Sequence, residues 1–210
     1  SSGSIGINTL AIAERYHLEV EVLGVGKNIA LLNKQILKFH PKAVIIADER
    51  DKDSITKDFC GKIYFGKNGI LQAIKEAESN LLINALVGFI GLEPTLCGIE
   101  CNKTIALANK ESLVVGGEYI DMRRIIPIDS EHFSLKYLLD SNPRPFRNLY
   151  ITASGGAFRD IALNEIPYQN ATNALKHPNW KMGKKITIDS ATLVNKGLEV
   201  MEAKWLFDVE

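Results

Sequence analysis

The apolar positions open in a helical rhythm. Ile5, Leu10, Ile12 and Ala13 line one side of residues 5–16 and predict an amphipathic helix. The pattern then switches to alternation over residues 17–23, HLEVEVL, which predicts a strand. That strand runs into Gly24-Val25-Gly26-Lys27-Asn28 and a second helix reaching residue 37. Residues 42–47, KAVIIA, are nearly continuously apolar, as in a parallel strand covered on both faces. The rhythm continues with a short strand at 63–65, a helix at 68–79, a strand at 81–87, a helix at 92–101, a strand at 103–107 and a helix to about residue 120. Alternating strands and helices of these lengths predict an α/β unit built on a mostly parallel sheet.

Candidate chemistry falls at the junctions. Gly3 and Gly6 have the spacing of the last two glycines in a dinucleotide-binding turn, whose first glycine and strand would precede Ser1. The second strand ends where such a fold places its ribose-reading residue, about 20 residues past the turn. An NAD site usually has Asp or Glu there. This chain has Gly26-Lys27-Asn28, and a cation with an amide suits a 2′-phosphate, so NADP is expected over NAD. A plainer reading makes Lys27 a solvated lysine at a helix start. Gly88-Phe89-Ile90-Gly91 and Asn109-Lys110-Glu111 lie at two further strand-to-helix junctions on the same sheet edge. The plainer reading of the second is capping by Asn109 beside a surface Lys–Glu pair.

Beyond Arg124 the texture changes. Residues 125–128 predict a strand leading to Asp129-Ser130-Glu131-His132. On an extended segment, carboxylates at i and i+2 point the same way, which makes Asp129 and Glu131 candidates for a cation site. His132 either caps a helix over 133–139 or serves that site, and His17 and His40 read as surface or junction residues. Residues 148–153 predict another strand, ending in Ser154-Gly155-Gly156, whose hydroxyl and main-chain N–H groups suit an anion. Next come a helix or turn from residue 164 and a basic loop carrying Trp180 and Met182, read as a lid. A short β-branched strand at 186–188 follows, then a helix capped by Asp189 or Ser190. On that helix Asn195, Glu199 and Glu202 share one face, with Lys196 one position round. The helix start suits phosphate and the carboxylates suit a hard cation such as Mg2+.

Zero net charge at 46% apolar content gives no reason to expect nucleic acid or an anionic membrane as partner. No apolar run is long enough to span a bilayer. Cys60, Cys97 and Cys101 read as reduced thiols, not a zinc site. The chain starts without Met and stops on LFDVE, so it reads as a stretch of a longer protein, and a targeting segment stays open.

The segments SSGSIG, GKN, ALANKES, PIDSEH, ASGGAFRD, HPNWKMGKKITIDSAT and NKGLEVMEA, taken in order, resemble the 1-deoxy-D-xylulose 5-phosphate reductoisomerase family over essentially the whole chain. The one departure within the motifs is Ala157, where a Pro is common. The resemblance implies a Rossmann-like NADP-binding domain over residues 1–126, lacking its first strand. An α+β catalytic domain over 127–210 follows, and a C-terminal helical domain lies beyond it.

The resemblance also implies residue roles. Asp129, Glu131 and Glu199 are implied as ligands of Mg2+ or Mn2+, with Co2+ a further option, and Glu202 lies close by. Ser154, Ser190, Asn195, Lys196 and Lys110 are implied as substrate contacts, with Ser130 touching the substrate's oxygens near the metal, and Glu131, His177, Trp180 and Glu199 also count as substrate-binding. His177, Trp180 and Met182 belong to the lid, and Lys196 and His177 are counted with the catalytic groups. Ser2, Gly3, Ser4, Ile5, Gly26, Lys27, Asn28, Asn109, Lys110, Glu111, Met182 and Gly183 are implied as NADPH contacts.

The implied activity is rearrangement and reduction of 1-deoxy-D-xylulose 5-phosphate to 2-C-methyl-D-erythritol 4-phosphate, in non-mevalonate isoprenoid synthesis. The implied setting is a cytoplasmic homodimer, with a plastid-type organelle left open. Two rivals are an NADP-dependent dehydrogenase that needs no metal and an NADP-sensing domain without catalysis.

Overall fold

The computed structural model describes residues 1–142 and 145–209. Among these residues six short strands form two parallel three-stranded sheets. The first contains β1 (Val22–Gly24), β2 (Ala43–Ile46) and β3 (Lys62–Phe65). The second contains β4 (Leu81–Asn84), β5 (Thr104–Leu107) and β6 (Ile125–Pro127). Register is set by Val22 opposite Ala43, Ala43 opposite Lys62, Leu81 opposite Thr104 and Leu107 opposite Pro127. Pro127 has no N–H for a ladder, and its strand lies at a sheet edge.

Helix α1 (Ser4–Arg15) precedes β1. Helices α2 (Ile29–Phe39), α4 (Leu92–Glu100) and α5 (Lys110–Gly116) are crossovers within a sheet, and α3 (Gly66–Glu76) leads from the first sheet to the second. In β2, Val44 and Ile46 join Leu10, Leu23, Ile29, Leu32 and Ile36 in one core. Ala43 packs with Tyr64 and Ala73 in a separate cluster. This split explains why the strand reads as continuously apolar. A second core gathers Ile105, Leu107, Leu113, Ile120 and Ile125. Packing of α3 on α4 joins the two halves, and polar bonds reinforce it. The Glu21 carboxylate accepts from the N–H groups of Glu78 (3.0 Å) and Ser79 (2.7 Å). Lys103 Nζ, itself buried, donates to the carbonyls of Ala77 and Ser79, both at 2.7 Å.

After β6 the chain forms α6 (Ser130–Ser141), α7 (Ala171–Ala174), α8 (Lys184–Ala191) and α9 (Val194–Phe207). Trp205 and Leu206 of α9 pack on the second core. Gly117 makes room for that packing: a Cβ there would lie 2.4 Å from Trp205 Nε1. Helix α9 is thereby pressed against the sheet edge that carries α5.

Several expectations differ from the structure. The strand expected over 17–23 is confined to β1, which starts at Val22, and His17 is left-handed at φ 54°. Residues 186–188 are the middle of α8, not a strand. The β-branched run favours a strand only weakly. Here Thr187 is buried and bonds Gly183 O through its hydroxyl at 2.8 Å, while Lys185 and Asp189 pair along the helix at 2.6 Å. Asp189 and Ser190 therefore lie within α8 and cap nothing. The cap position of α9 is Leu193, held left-handed at φ 61°. Residues 148–153 join no sheet among the described residues. Among the described residues no helix is long and apolar enough to cross a membrane, and all three cysteines are free.

Candidate active site

Three segments converge: the start of α6, the turn after residue 153, and the α8–α9 corner. Asp129 was expected on an extended run, side by side with Glu131. It is instead the N-cap of α6, and Ser130 and Glu131 form the first helical turn. The reason is local: an Asp ahead of a helix satisfies an orphan N–H with its carboxylate. Asp129 Oδ1 accepts from His132 N–H at 3.0 Å. The i,i+2 argument therefore fails, yet Glu131 still faces α9. Lys196 Nζ lies 3.5 Å from Glu131 Oε1 and also contacts the Glu199 carboxylate and the Thr152 carbonyl. Ser130 Oγ donates to Glu131 Oε2 at 2.8 Å.

Glu199, fully buried, is the hub. Its Oε1 accepts from Lys110 Nζ at 2.6 Å and from Asn195 Nδ2 at 2.6 Å. The helical spacing of Asn195, Glu199 and Glu202 thus holds as expected, with Asn195 and Glu199 in direct contact. Lys110 reaches across from α5, 89 residues earlier, so it is not a surface partner of Glu111. Burial works against its charge, but Asp129, Glu199 and Glu202 outweigh burial and raise its pKa.

His132 is a residue whose position the sequence left open. It does not cap a helix. It lies inside α6 with its ring completely buried. Nδ1 is 2.9 Å from Asp129 Oδ1, and Nε2 is 2.9 Å from the Glu199 carbonyl oxygen. Both partners are acceptors, so both ring nitrogens carry hydrogen and the ring is an imidazolium. Burial opposes that charge. The hydrogen bond and charge of Asp129, the charge of Glu202 and the Glu199 carbonyl together raise the pKa above the usual histidine value. For Asp129 burial again opposes the charge, and His132 and Lys110 prevail and lower its pKa. Glu202 Oε2 is buried without a hydrogen bond, 3.5 Å from His132 Nδ1. Burial, then the charge of Asp129, pushes its carboxyl up to about 8.

This donor set fits a hard divalent cation. Four carboxylates from two distant segments share one region. Side-chain oxygens of Asp129 and Glu202 lie within 4.8 Å of one another, and Glu202 Oε2 has no hydrogen-bond partner among the described residues.

Beside the carboxylates sits a cluster of the Ser154 and Ser190 hydroxyls with His177. Ser154 Oγ lies 3.0 Å from His177 Nε2 and 3.5 Å from Ser190 Oγ. The Gly155-Gly156 turn has φ of 81° and 65°, a conformation open to glycine. A Cβ at Gly156 would also lie 2.4 Å from the Ser190 carbonyl oxygen. His177 Nδ1 accepts from the N–H groups of Asn179 (3.2 Å) and Trp180 (2.9 Å), so its proton is on Nε2 and faces Ser154. His177 thus ties the base of the loop between α7 and α8 to the cluster, and Trp180 stands exposed on that loop with Met182 half-buried.

The expected cofactor residues cluster at strand ends and helix starts. Gly3 is the N-cap of α1 with no side-chain cap, and Ser4 and Ile5 are exposed while Ser2 is half-buried. A Cβ on Gly6 would come within 2.6 Å of Ser1 Cα, the close approach a dinucleotide turn requires. Gly26, Lys27 and Asn28 are exposed past β1, and Asn28 caps α2 through Leu31 N–H at 3.1 Å. Asn109 caps α5, as the plainer reading had it. Its side chain is buried and also donates to the carbonyls of Leu86 (2.8 Å) and Gly88 (2.9 Å). Glu111 pairs with Lys185 of α8 at 2.9 Å, which brings Gly183 and the loop toward the same edge.

Two family models match the chain. The 1-deoxy-D-xylulose 5-phosphate reductoisomerase model covers residues 1–117, and its C-terminal domain model covers 125–207. The reductoisomerase of Wolinella succinogenes is 53% identical over 210 residues, which is all of this chain and 58% of that protein. That of Helicobacter pylori is 52% identical over 207 residues, 99% of this chain and 56% of its own length. A crystal structure of DOX-P reductoisomerase with NADPH, fosmidomycin and magnesium superposes with a TM-score of 0.85 at 31% identity, covering 100% of this chain and 57% of that one. The Zymomonas mobilis enzyme with NADPH gives 0.86 at 33% identity, with the same coverage. The chain therefore spans less than three-fifths of the relatives' length. It belongs to the 1-deoxy-D-xylulose 5-phosphate reductoisomerase family.

Proposed function

We propose that this chain is the NADPH-binding and catalytic portion of an enzyme that rearranges and reduces 1-deoxy-D-xylulose 5-phosphate to 2-C-methyl-D-erythritol 4-phosphate for isoprenoid synthesis. The observation that carries this reading is Lys196. One ammonium contacts Glu131 of the first acidic segment and Glu199 of the second, beside the Ser154–His177–Ser190 cluster. Related structures hold NADPH and magnesium, which supports both as cofactors here.

In this reading residues 1–126 hold NADPH. The start of α1 receives its phosphates, Lys27 and Asn28 its 2′-phosphate, and residues 109–111 with Met182 and Gly183 its nicotinamide end. Residues 127–210 bind metal and substrate. Asp129, Glu131 and Glu199 would hold Mg2+ or Mn2+, which when bound supplies a Lewis acid for vicinal oxygens. Ser154, Ser190, Asn195 and Lys196 grip the phosphate, and Ser130 and Lys110 orient oxygens at the reacting end. His177 donates from Nε2 toward the phosphate site. Trp180 closes over the substrate and excludes water, so that binding energy from the remote phosphate acts at the reacting carbons. The reading includes a homodimer. The exposed apolar row Phe133, Tyr137 and Leu138 on α6 is a surface a second copy would cover.

The test is NADPH absorbance in the whole protein with 1-deoxyxylulose 5-phosphate, with Mg2+ or with chelator. NADPH consumption only with metal is expected. Consumption unaffected by chelator would favour a plain dehydrogenase, and NADPH binding without oxidation a sensing domain.

A further inference from the structure

We propose that His132 is a positioning residue for the metal centre: its ring clamps the Asp129 carboxylate to the main chain of Glu199 and so sets the spacing between the two acidic segments. This rests on the metal role proposed for Asp129 and Glu199. The ring makes one bond in each direction, 2.9 Å to Asp129 Oδ1 and 2.9 Å to Glu199 O. It is inflexible, so the N-cap of α6 and the middle of α9 are held at one separation. The packing allows the ring little freedom. It is wholly inaccessible to solvent, and the Phe207 ring lies against it at 5.9 Å between centroids. Neither His132 bond uses Glu131 or the side-chain oxygens of Glu199. The clamp therefore sits behind the ligand set, where partners that orient ligands commonly lie.

The side chains available allow the two bonds to be separated. Phe keeps a ring and loses both donors. Asn places an amide nitrogen near the Nδ1 position, facing Asp129. Gln places one near the Nε2 position, facing the Glu199 carbonyl. Mn2+ affinity of the whole protein is measured by electron paramagnetic resonance, with NADPH affinity and thermal unfolding measured alongside.

His132→Phe is expected to weaken Mn2+ binding roughly 10–100-fold with NADPH affinity unchanged. His132→Asn should restore most of the Mn2+ affinity and His132→Gln little, because only Asn still orients the carboxylate. Equal losses in Asn and Gln that follow the melting temperature would overturn the proposal in favour of a purely structural histidine. Unchanged Mn2+ affinity in His132→Phe, with weakened binding in Asp129→Asn, would overturn it while leaving the metal assignment standing. If Asp129→Asn also binds Mn2+ normally, the metal assignment fails and the proposal fails with it.

Discussion

Replacing Glu199 with Gln should lower kcat/KM by about 1,000-fold or more, equivalent to roughly 4 kcal/mol of transition-state stabilisation. The carboxylate is fully buried and gathers three cationic or amide donors, Lys110, Lys196 and Asn195. Gln preserves the volume but removes the negative charge on which both ammonium groups and a divalent ion depend. It also turns an N–H group toward donors. NADPH affinity should fall far less than turnover, because among the residues assigned to the cofactor Lys110 alone bonds Glu199. Steady-state kinetics at saturating metal, with NADPH binding as the folding control, reads both quantities. Unchanged turnover would count against Glu199 as a ligand.

The second large effect concerns stability. Lys110→Met should destabilise the protein by roughly 3 kcal/mol, the lower end of what breaking a buried ion pair costs. Lys110 and Glu199 have side chains 9% and 0% exposed, and their 2.6 Å contact joins α5 to α9. Removing the ammonium leaves the carboxylate inside the protein with Lys196 and Asn195 alone. Their survival is why the lower figure applies, and the Met side chain retains the apolar stem. Equilibrium unfolding in urea measures the difference. A change within about 0.5 kcal/mol, typical of an ordinary surface substitution, would mean the pair contributes nothing beyond its surroundings.

The parts of this architecture that could be read from the chain were those governed by local pattern. Residues 42–47 announced a covered parallel strand because both their faces are buried in separate clusters. Asn109 announced a helix start because an amide oxygen can satisfy an orphan N–H. The contact between Asn195 and Glu199 followed from helical spacing alone.

What failed was decided by tertiary context. Residues 186–188 have strand-like side chains but find a helical place between the loop and α9, fixed by the Lys185–Asp189 and Lys185–Glu111 pairs. Asp129 was read as part of an extended run because the periodicity argument ignored its capping chemistry. An Asp ahead of Ser-Glu-His was the available signal. Lys110 looked like a surface residue because its partner lies 89 positions away. No local pattern reports such a pairing. His132 was ambiguous for the same reason: its second bond runs to a main-chain carbonyl 67 residues distant.

The central claim is that the acidic segments around residues 129–131 and 199–202 enclose one divalent ion next to a phosphate site. The most direct measurement is a crystal of the whole protein soaked in Mn2+ and examined by anomalous diffraction. One peak is predicted, with carboxylate oxygens of Asp129, Glu131 and Glu199 about 2.1–2.2 Å away, as for a small hard cation. A manganese peak elsewhere on the molecule, with Lys196 still bridging Glu131 and Glu199, would contradict it.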